Sequence, residues 1–301
     1  MAGDAEIRCS VIVPVRDDAA PLRACLESLN GSTEGIEVLV VDDGSQDHPE
    51  RVAADFGVEV LRLETPSGAA AARNAGARRA RGEILLFTDA DCRVMPGWVE
   101  AFTETLCRLH REDATCIALS GRIDSASGYA AKSHAYAGYA YVQGGAERPT
   151  DCFNTANAAI FRRDFFELGG FDESLLAHED HDFGLRLSAS PSQARFVPEI
   201  EVYHDHGVES WPAMLDKHGK WGRIAGLRIE ERYPGRLRGL LPWLRRGWSH
   251  ALLIVPLAIA SSLRILGHLM TFDRRAVLYA PGIFFAKLAF RINVFRFRQE
   301  S

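Results

Sequence analysis

The chain has 301 residues, of which 47% are hydrophobic and 25% charged, and its formal net charge is -5. That length suits one large α/β domain with an appendage, and the composition is that of a globular protein. The negative balance gives no electrostatic ground for a nucleic-acid partner.

In chain order, MAGDAEIRCSVIVPV begins acidic and lacks the basic and apolar regions of a signal peptide, which predicts a body facing the cytoplasm. Cys9 to Val15 is a short apolar run that predicts a buried first strand. Pro21 to Leu29 carries Leu22, Cys25, Leu26 and Leu29 at helical spacing, with proline in the first turn. Ile36 to Val41 reads as a second buried strand that ends in Asp42-Asp43-Gly44-Ser45. Val58 to Leu63 is a third strand, Ala69 to Arg81 an alanine-rich helix, and Glu83 to Thr88 a fourth strand ending in Asp89-Ala90-Asp91. Strands alternating with helices imply right-handed crossovers and a mostly parallel sheet. The six cysteines, at 9, 25, 92, 107, 116 and 152, form no CxxC pair and read as reduced thiols.

In open parallel sheets, ligands bind beyond the carboxyl ends of the strands. Two strands deliver Asp42 and Asp43, and Asp89 and Asp91, to that edge. Clustered like charges need a counter-charge, and a hard divalent cation supplies one while bridging the phosphates of a nucleotide diphosphate. Either acidic motif alone is more often a solvated turn. The pair, each closing an apolar strand, points to a site.

The order Ser10-Val-Ile-Val-Pro14, Val41-Asp-Asp-Gly-Ser45, Ala72-Arg-Asn-Ala-Gly76 and Thr88-Asp-Ala-Asp91 resembles the family 2 inverting glycosyltransferases of the GT-A fold. Asn157, Gly169-Gly-Phe-Asp172 and His178-Glu-Asp-His-Asp-Phe-Gly-Leu-Arg186 continue the likeness, which spans about residues 9 to 225. The resemblance implies a Rossmann-like, mostly parallel central sheet flanked by helices over residues 1–235, with a helical extension over 236–301. It also implies metal-dependent transfer of a hexose-type sugar from a nucleotide-diphosphate sugar to an acceptor hydroxyl.

On that resemblance, Asp43 accepts a hydrogen bond from the nucleotide base, with Pro14 and Arg16 lining the pocket and Asp42 bracing the loop. Arg73 grounds a donor phosphate or the Asp-x-Asp carboxylates, because guanidinium pairs bidentately. Asp89 contacts the ribose or a metal-bound water, and Asp91 binds the metal. A single displacement needs a group to take the acceptor's proton. Glu179 and Asp180 are the candidates, and the resemblance favours Asp180. Arg186 is placed to pair with an acid of this segment, while His181 and Asp182 receive no role. In Val202-Tyr-His-Asp-His-Gly207, His204 matches the late metal position better than His206, and imidazole beside carboxylates leans the ion towards Mn2+ over Mg2+. Lys217-His-Gly-Lys-Trp-Gly-Arg223 lacks the glutamine of processive polymerising members. A nucleotidyltransferase or a nucleotide-sugar sensor remains compatible with the acidic motifs, and the Glu179-Asp180 pair speaks for transfer.

The tail differs from the body. After Arg236 the chain is rich in Arg and nearly free of acids. Ala251 to Leu263 is an apolar run shorter than the roughly twenty residues of a bilayer span. A second run, Ala276 to Phe290, contains Pro281 and Lys287. Arg236, Arg238, Arg245, Arg246, Arg274, Arg275, Arg291, Arg296 and Arg298 flank these runs, with Trp243 and Trp248. The pattern predicts interfacial helices on an anionic membrane surface, at the inner face of the cell membrane. Packing of the same helices on the body or on a second subunit is the alternative.

Overall fold

The computed structural model describes residues 8–30, 35–125, 128–223 and 248–300. The first seven residues, the expected boundary at 235/236, and Arg236, Arg238, Trp243, Arg245 and Arg246 lie outside the described residues. The chain divides into two compact units, Met1–Asp124 with Ala146–Asp205, and Ser125–Gly145 with His206–Ser301.

In the first unit, β1 (Cys9–Val15), β2 (Ile36–Asp42), β3 (Glu59–Arg62) and β4 (Ile84–Phe87) run parallel in the spatial order β3-β2-β1-β4. The apolar runs of β1, β2 and β4 are buried because helices cover a parallel sheet, whereas β3, at the edge, is only partly covered. The connections carry α1 (Ala19–Leu29), α2 (Pro49–Ala54) and α3 (Ala69–Arg79). A Cβ on Gly76 of α3 would lie 2.7 Å from the Ile12 side chain and 3.0 Å from that of Val41. The small residues of this helix therefore let it lie directly on β1 and β2.

Beyond β4 the sheet changes character. β5 (Cys92–Val94) and α4 (Trp98–Glu112) precede β6 (Cys116–Ser125); α5 (Tyr129–Tyr139) belongs to the second unit. β7 (Arg148–Thr150), β8 (Ala158–Phe161), α6 (Arg162–Glu167), α7 (Glu179–Ala189) and β9 (Gln193–His204) complete the first unit. β8 pairs antiparallel with β4 and with β6, while β5 and β7 pair antiparallel with β9. The parallel part is thus confined to the first four strands. Phe87, Phe153, Phe165, Phe171 and Phe183 share one buried core cluster. Phe153 and Phe183 stand 4.9 Å apart, and Phe171 and Phe183 5.2 Å, which anchors α7 to the interior. All six cysteines are free thiols, with only Cys107 exposed.

The second unit consists of helices. α5, α8 (Trp211–Trp221), α9 (Trp248–Leu269) and α10 (Ala280–Glu300) surround a core that includes Tyr136, Met214, Ile265, Leu269, Ile283 and Ala286. The apolar run 251–263 lies inside the longer α9, which accommodates Pro256 and continues through Arg264 and His268. Among the described residues, Arg274–Val294 is long and apolar enough to cross a membrane by length and composition. Ile283 and Ala286 of that stretch are nevertheless spent on the unit's own core.

His134, His206 and His218 are buried together in this unit. His134 Nδ1 and His218 Nε2 lie 3.1 Å apart, His206 stacks on Tyr139 at 4.7 Å, and Trp221 lies 5.2 Å from His134. Burial pushes the His218 pKa well below its ordinary value, and the positive neighbours His134, Lys287 and Lys217 act in the same direction. The unfolded chain takes up a proton near pH 6.5 that the folded imidazole refuses, so this contribution to stability falls as pH drops below about 6.5. Thermal unfolding of the full chain at pH 7, 6 and 5 should show this loss. His218→Gln should reduce the drop; an unchanged pH dependence in that variant would show that His218 stays neutral for no thermodynamic consequence.

Candidate active site

Two buried aspartates close β2, and the structure gives them different tasks. Asp42 is fully buried; its carboxylate accepts from the Ser45 N–H at 2.7 Å and from Arg62 Nη1 at 2.6 Å. Arg62 also donates to the Ser45 carbonyl at 2.9 Å, so Asp42 braces the loop. Gly44, at φ +78°, turns the chain against Pro66. Asp43 accepts from the backbone N–H groups of Ser67 at 2.6 Å and Gly68 at 2.9 Å, immediately before α3. Arg16 stands 3.8 Å from Asp43 and is half exposed; Pro14 lies in β1 beside it in sequence, partly buried.

The second acidic motif lies between β4 and β5. Cys92 pairs with His204 in the antiparallel ladder of β5 and β9, and the Asp205 N–H donates to the Asp91 carbonyl at 3.0 Å. This register sets His204 Nε2 3.0 Å from Asp91 Oδ1. Ligand atoms of Asp89, Asp91, Cys92 and His204 all fall within 4.8 Å of one another. Burial pushes the Cys92 thiol up to about 11, so the sulfur stays protonated and is a poor ligand. The remaining donors are carboxylates and an imidazole, a set that fits Mn2+ or Mg2+. Burial alone would lower the His204 pKa, but the Asp91 carboxylate beside it, with the Cys92 sulfur as a further hydrogen-bond partner, holds it well above its ordinary value. A cation at this position therefore competes with that proton.

Arg73 of α3 is buried, and it reaches both sides of the site. Nη2 donates to Asp89 Oδ1 at 2.5 Å, and Nη1 donates to Glu179. Burial disfavours its charge, and the two carboxylates more than compensate. Glu179 is the first residue of α7 and is itself buried. Asp180 follows, partly buried, with Oδ1 accepting from the His181 N–H at 2.7 Å. Burial pushes the Asp180 carboxyl up to about 7, the negative Glu179 adds to the rise, and Arg73 opposes it. Consecutive carboxylates thus differ: Glu179 is committed to a guanidinium, and Asp180 holds its proton to near neutrality.

Asn74, Asp182 and Asn157 matter here without having been assigned a role from sequence, and Arg186 finds its acid in Asp182. Asn74, next to Arg73, donates to the Phe171 carbonyl at 2.8 Å and accepts from the Phe171 N–H at 3.0 Å, tying the Gly169–Asp172 segment to α3. Asp182 is fully buried and pairs with Arg186 at 2.8 Å, while Arg186 also donates to the carbonyls of Leu168 at 2.5 Å and Gly170 at 2.6 Å. The acid at i and arginine at i+4 was the available signal for that pair. Asn157 is a brace as well: it donates to the carbonyls of Arg122 at 2.7 Å and Ile200 at 3.0 Å and accepts from Trp98 at 2.8 Å. His206 belongs to the histidine cluster of the second unit and is not part of the acidic cluster.

Comparison with known proteins gives the family and the fold. Among curated proteins, the chain is 31% identical over 245 residues to the pre-mycofactocin glycosyltransferase of Mycobacterium tuberculosis, covering 77% of this chain and 49% of that protein. It is 37% identical over 105 residues to the glycosyltransferase AglE of Haloferax volcanii, covering 32% and 34% of the two chains. The chain spans about half the length of the mycobacterial relative. Among solved structures, it superposes on the mannosyltransferase PcManGT of Pyrobaculum calidifontis, in complex with GDP-Man and Mn2+, with a TM-score of 0.63 at 17% identity, covering 98% and 88% of the chains. The S. aureus TarS 1–349 complex with UDP-GlcNAc gives 0.53 at 16% identity, covering 98% and 92%. At these identities the superpositions speak to the fold, which is that of GT-A glycosyltransferases. Residues 10–169 match the glycosyl transferase family 2 profile, and the chain belongs to that family.

Proposed function

We propose that this family 2 chain is an inverting glycosyltransferase that moves a hexose-type sugar from a nucleotide-diphosphate donor to an acceptor hydroxyl. Arg73 carries the reading, because one buried guanidinium joins Asp89, in the acidic strand-end turn, to Glu179, which precedes Asp180. Donor-side acids and a base-side carboxyl thereby belong to one assembly. The superposed proteins bind GDP-Man with Mn2+ and UDP-GlcNAc, which supports a nucleotide-sugar donor.

In this reading Pro14, Arg16 and Asp43 line the nucleotide pocket. Each Asp43 oxygen already accepts one backbone N–H, and a second lone pair remains for a base N–H. Asp91 and His204 would hold Mn2+ or Mg2+, with Asp89 held alongside by Arg73 for the ribose or a metal-bound water. When bound, the ion supplies Lewis-acid stabilisation of the departing diphosphate. Asp180 is the general base. Its proton affinity near neutrality suits transfer at physiological pH. The acceptor oxygen bonds to the anomeric carbon as that carbon's bond to the phosphate oxygen breaks. The electron pair leaves with the nucleoside diphosphate, and the hydroxyl proton passes to the Asp180 carboxylate. One displacement on the face opposite the leaving group inverts the anomeric centre.

The helical unit, on the same reading, rests on the anionic inner face of the cell membrane. α9 exposes Val255, Ile259 and Leu263 on successive turns, and Met270, Val277 and Leu278 are exposed beyond them. Arg264, Arg274 and Arg275 stand exposed among these apolar side chains. Apolar positions flanked by cations suit an interfacial helix.

Asp91→Asn should abolish turnover and weaken Mn2+-dependent binding of UDP-GlcNAc or GDP-mannose, since an amide is a poor ligand for a hard cation. Calorimetry showing unchanged Mn2+-dependent donor affinity would remove Asp91 from the metal site. Asp180→Asn should leave donor affinity within a few-fold while slowing transfer by roughly 10²–10⁴. In the wild type, the base must be unprotonated, so kcat/KM should rise with pH through about 7 and then level. An active Asp180→Asn variant would exclude Asp180 as base. For the membrane, the full chain should float with anionic vesicles at low salt and float less at high salt, where charge is screened. Flotation that resists salt would indicate insertion, and no flotation at either salt concentration would reject the membrane reading.

A further inference from the structure

The start of α7 is held in an unusual way. His178, the residue before it, adopts a left-handed backbone with φ 64°, and its side chain makes no capping hydrogen bond to the helix. A non-glycine residue is uncommon in that region. Beside it, Glu179 forms an ion pair with Arg73, a residue 106 positions away in sequence. Arg73 has its other arm on Asp89. One turn further on, Asp182 and Arg186 fasten the helix to the carbonyls of Leu168 and Gly170.

We propose that Arg73 is the positioning residue of the base: by gripping Glu179 from Asp89, it fixes the first turn of α7 and with it the Asp180 carboxyl. The inference rests on Asp180 as the base and deepens that reading. Glu179 becomes the handle by which the helix is held, with no proton-transfer role of its own. The geometry demands arginine in particular. Two carboxylates on different elements are spanned by the separate amino groups of one planar guanidinium, whereas a lysine ammonium acts as a point charge and grips one of them.

The charges facing Asp180 predict how variants behave. Glu179 on the same helix turn raises its proton affinity, Arg73 on α3 lowers it, the His181 N–H lowers it, and Asp89 in the β4–β5 turn raises it. The rings of His178 and His181, 6.5 Å apart, flank the same turn. Glu179→Gln keeps the shape and removes a negative neighbour, so the Asp180 midpoint should fall by about one pH unit. Arg73→Lys loosens the opposing cation, so the midpoint should rise.

Carboxyl 13C NMR titration of the full chain, labelled at aspartate, reads these midpoints without any substrate, and Asp180→Asn assigns the Asp180 resonance. Diphosphate release from UDP-GlcNAc or GDP-mannose with Mn2+ is followed in parallel, and Arg73→Lys should lower kcat far more than it changes donor KM. Opposite shifts in the two variants support the proposal, because a merely structural Arg73 would change thermal stability without moving the midpoint in opposite directions. Midpoints that coincide with wild type in both variants overturn it. If Arg73→Lys does not fold, Glu179→Gln decides alone: a kcat lowered far more than donor KM supports the proposal, and an unchanged kcat overturns it. An active Asp180→Asn variant instead defeats the underlying assignment of the base, whatever the midpoints do.

Discussion

The buried guanidinium of Arg73 is the constraint on which the rest of the site depends. Asp89, Asp91, Glu179 and Asp180 are like charges in one region, and carboxylates about 4 Å apart at an effective dielectric near 20 repel by about 4 kcal/mol. Such a group persists only with cations among its members. Arg73 supplies a permanent one to Asp89 and Glu179, and the His204 imidazole, its pKa held above the ordinary value, supplies one to Asp91 when protonated. The two differ in kind. A guanidinium keeps its charge throughout, whereas an imidazolium yields its proton to a competing metal ion. The site thus combines a fixed counter-charge with an exchangeable one.

Burying that arginine is costly unless its charge is paired. Asp89 and Glu179 take its two terminal nitrogens, while Nε is buried without a hydrogen-bond partner, and neighbouring residues of the same short helix hold it in place. Gly76 removes the Cβ that would strike Ile12 and Val41, and Asn74 ties the Gly169–Asp172 segment to the helix through paired backbone hydrogen bonds. Asp43 fixes the start of α3 by accepting the Ser67 and Gly68 N–H groups. The stretch Arg-Asn-Ala-Gly is therefore one device, in which closeness, attachment and charge come from successive side chains.

The strand-end acids were legible in the sequence because they depend on local pattern: an apolar run, then Asp-Asp-Gly or Asp-Ala-Asp at the crevice edge. The first four strands and the helices α1 and α3 were legible for the same reason, whereas the short α2 was not. What depends on pairing between distant segments was not. No local signal tells that Cys92 aligns with His204, and so nothing in residues 88–92 alone brings an imidazole to Asp91. The antiparallel half of the sheet was hidden likewise, since strand direction is set by which neighbour a segment finds. Asp182 was given no role, yet it is fully buried against Arg186. In the second unit, the apolar run read as Ala251 to Leu263 is part of a longer helix that carries Arg264 and His268: Arg264 is exposed, and the His268 ring lies 4.8 Å from that of Tyr141.

Glu179 and Asp180 condense the argument, for they are chemically similar, adjacent, and different in consequence. Successive side chains on a helix point about 100° apart, so one contact on the first residue leaves the second aimed elsewhere. Arg73 takes the first, whose carboxylate is spent on the buried guanidinium. The second sits beside that fixed negative charge in a poorly solvated position, and both effects favour its protonated form. The longer side chain of glutamate suits the reaching role and the shorter one of aspartate suits the constrained role. The order Glu-Asp at the start of α7 thus follows from where the guanidinium lies, and the proton affinity of the second residue follows from the pairing of the first.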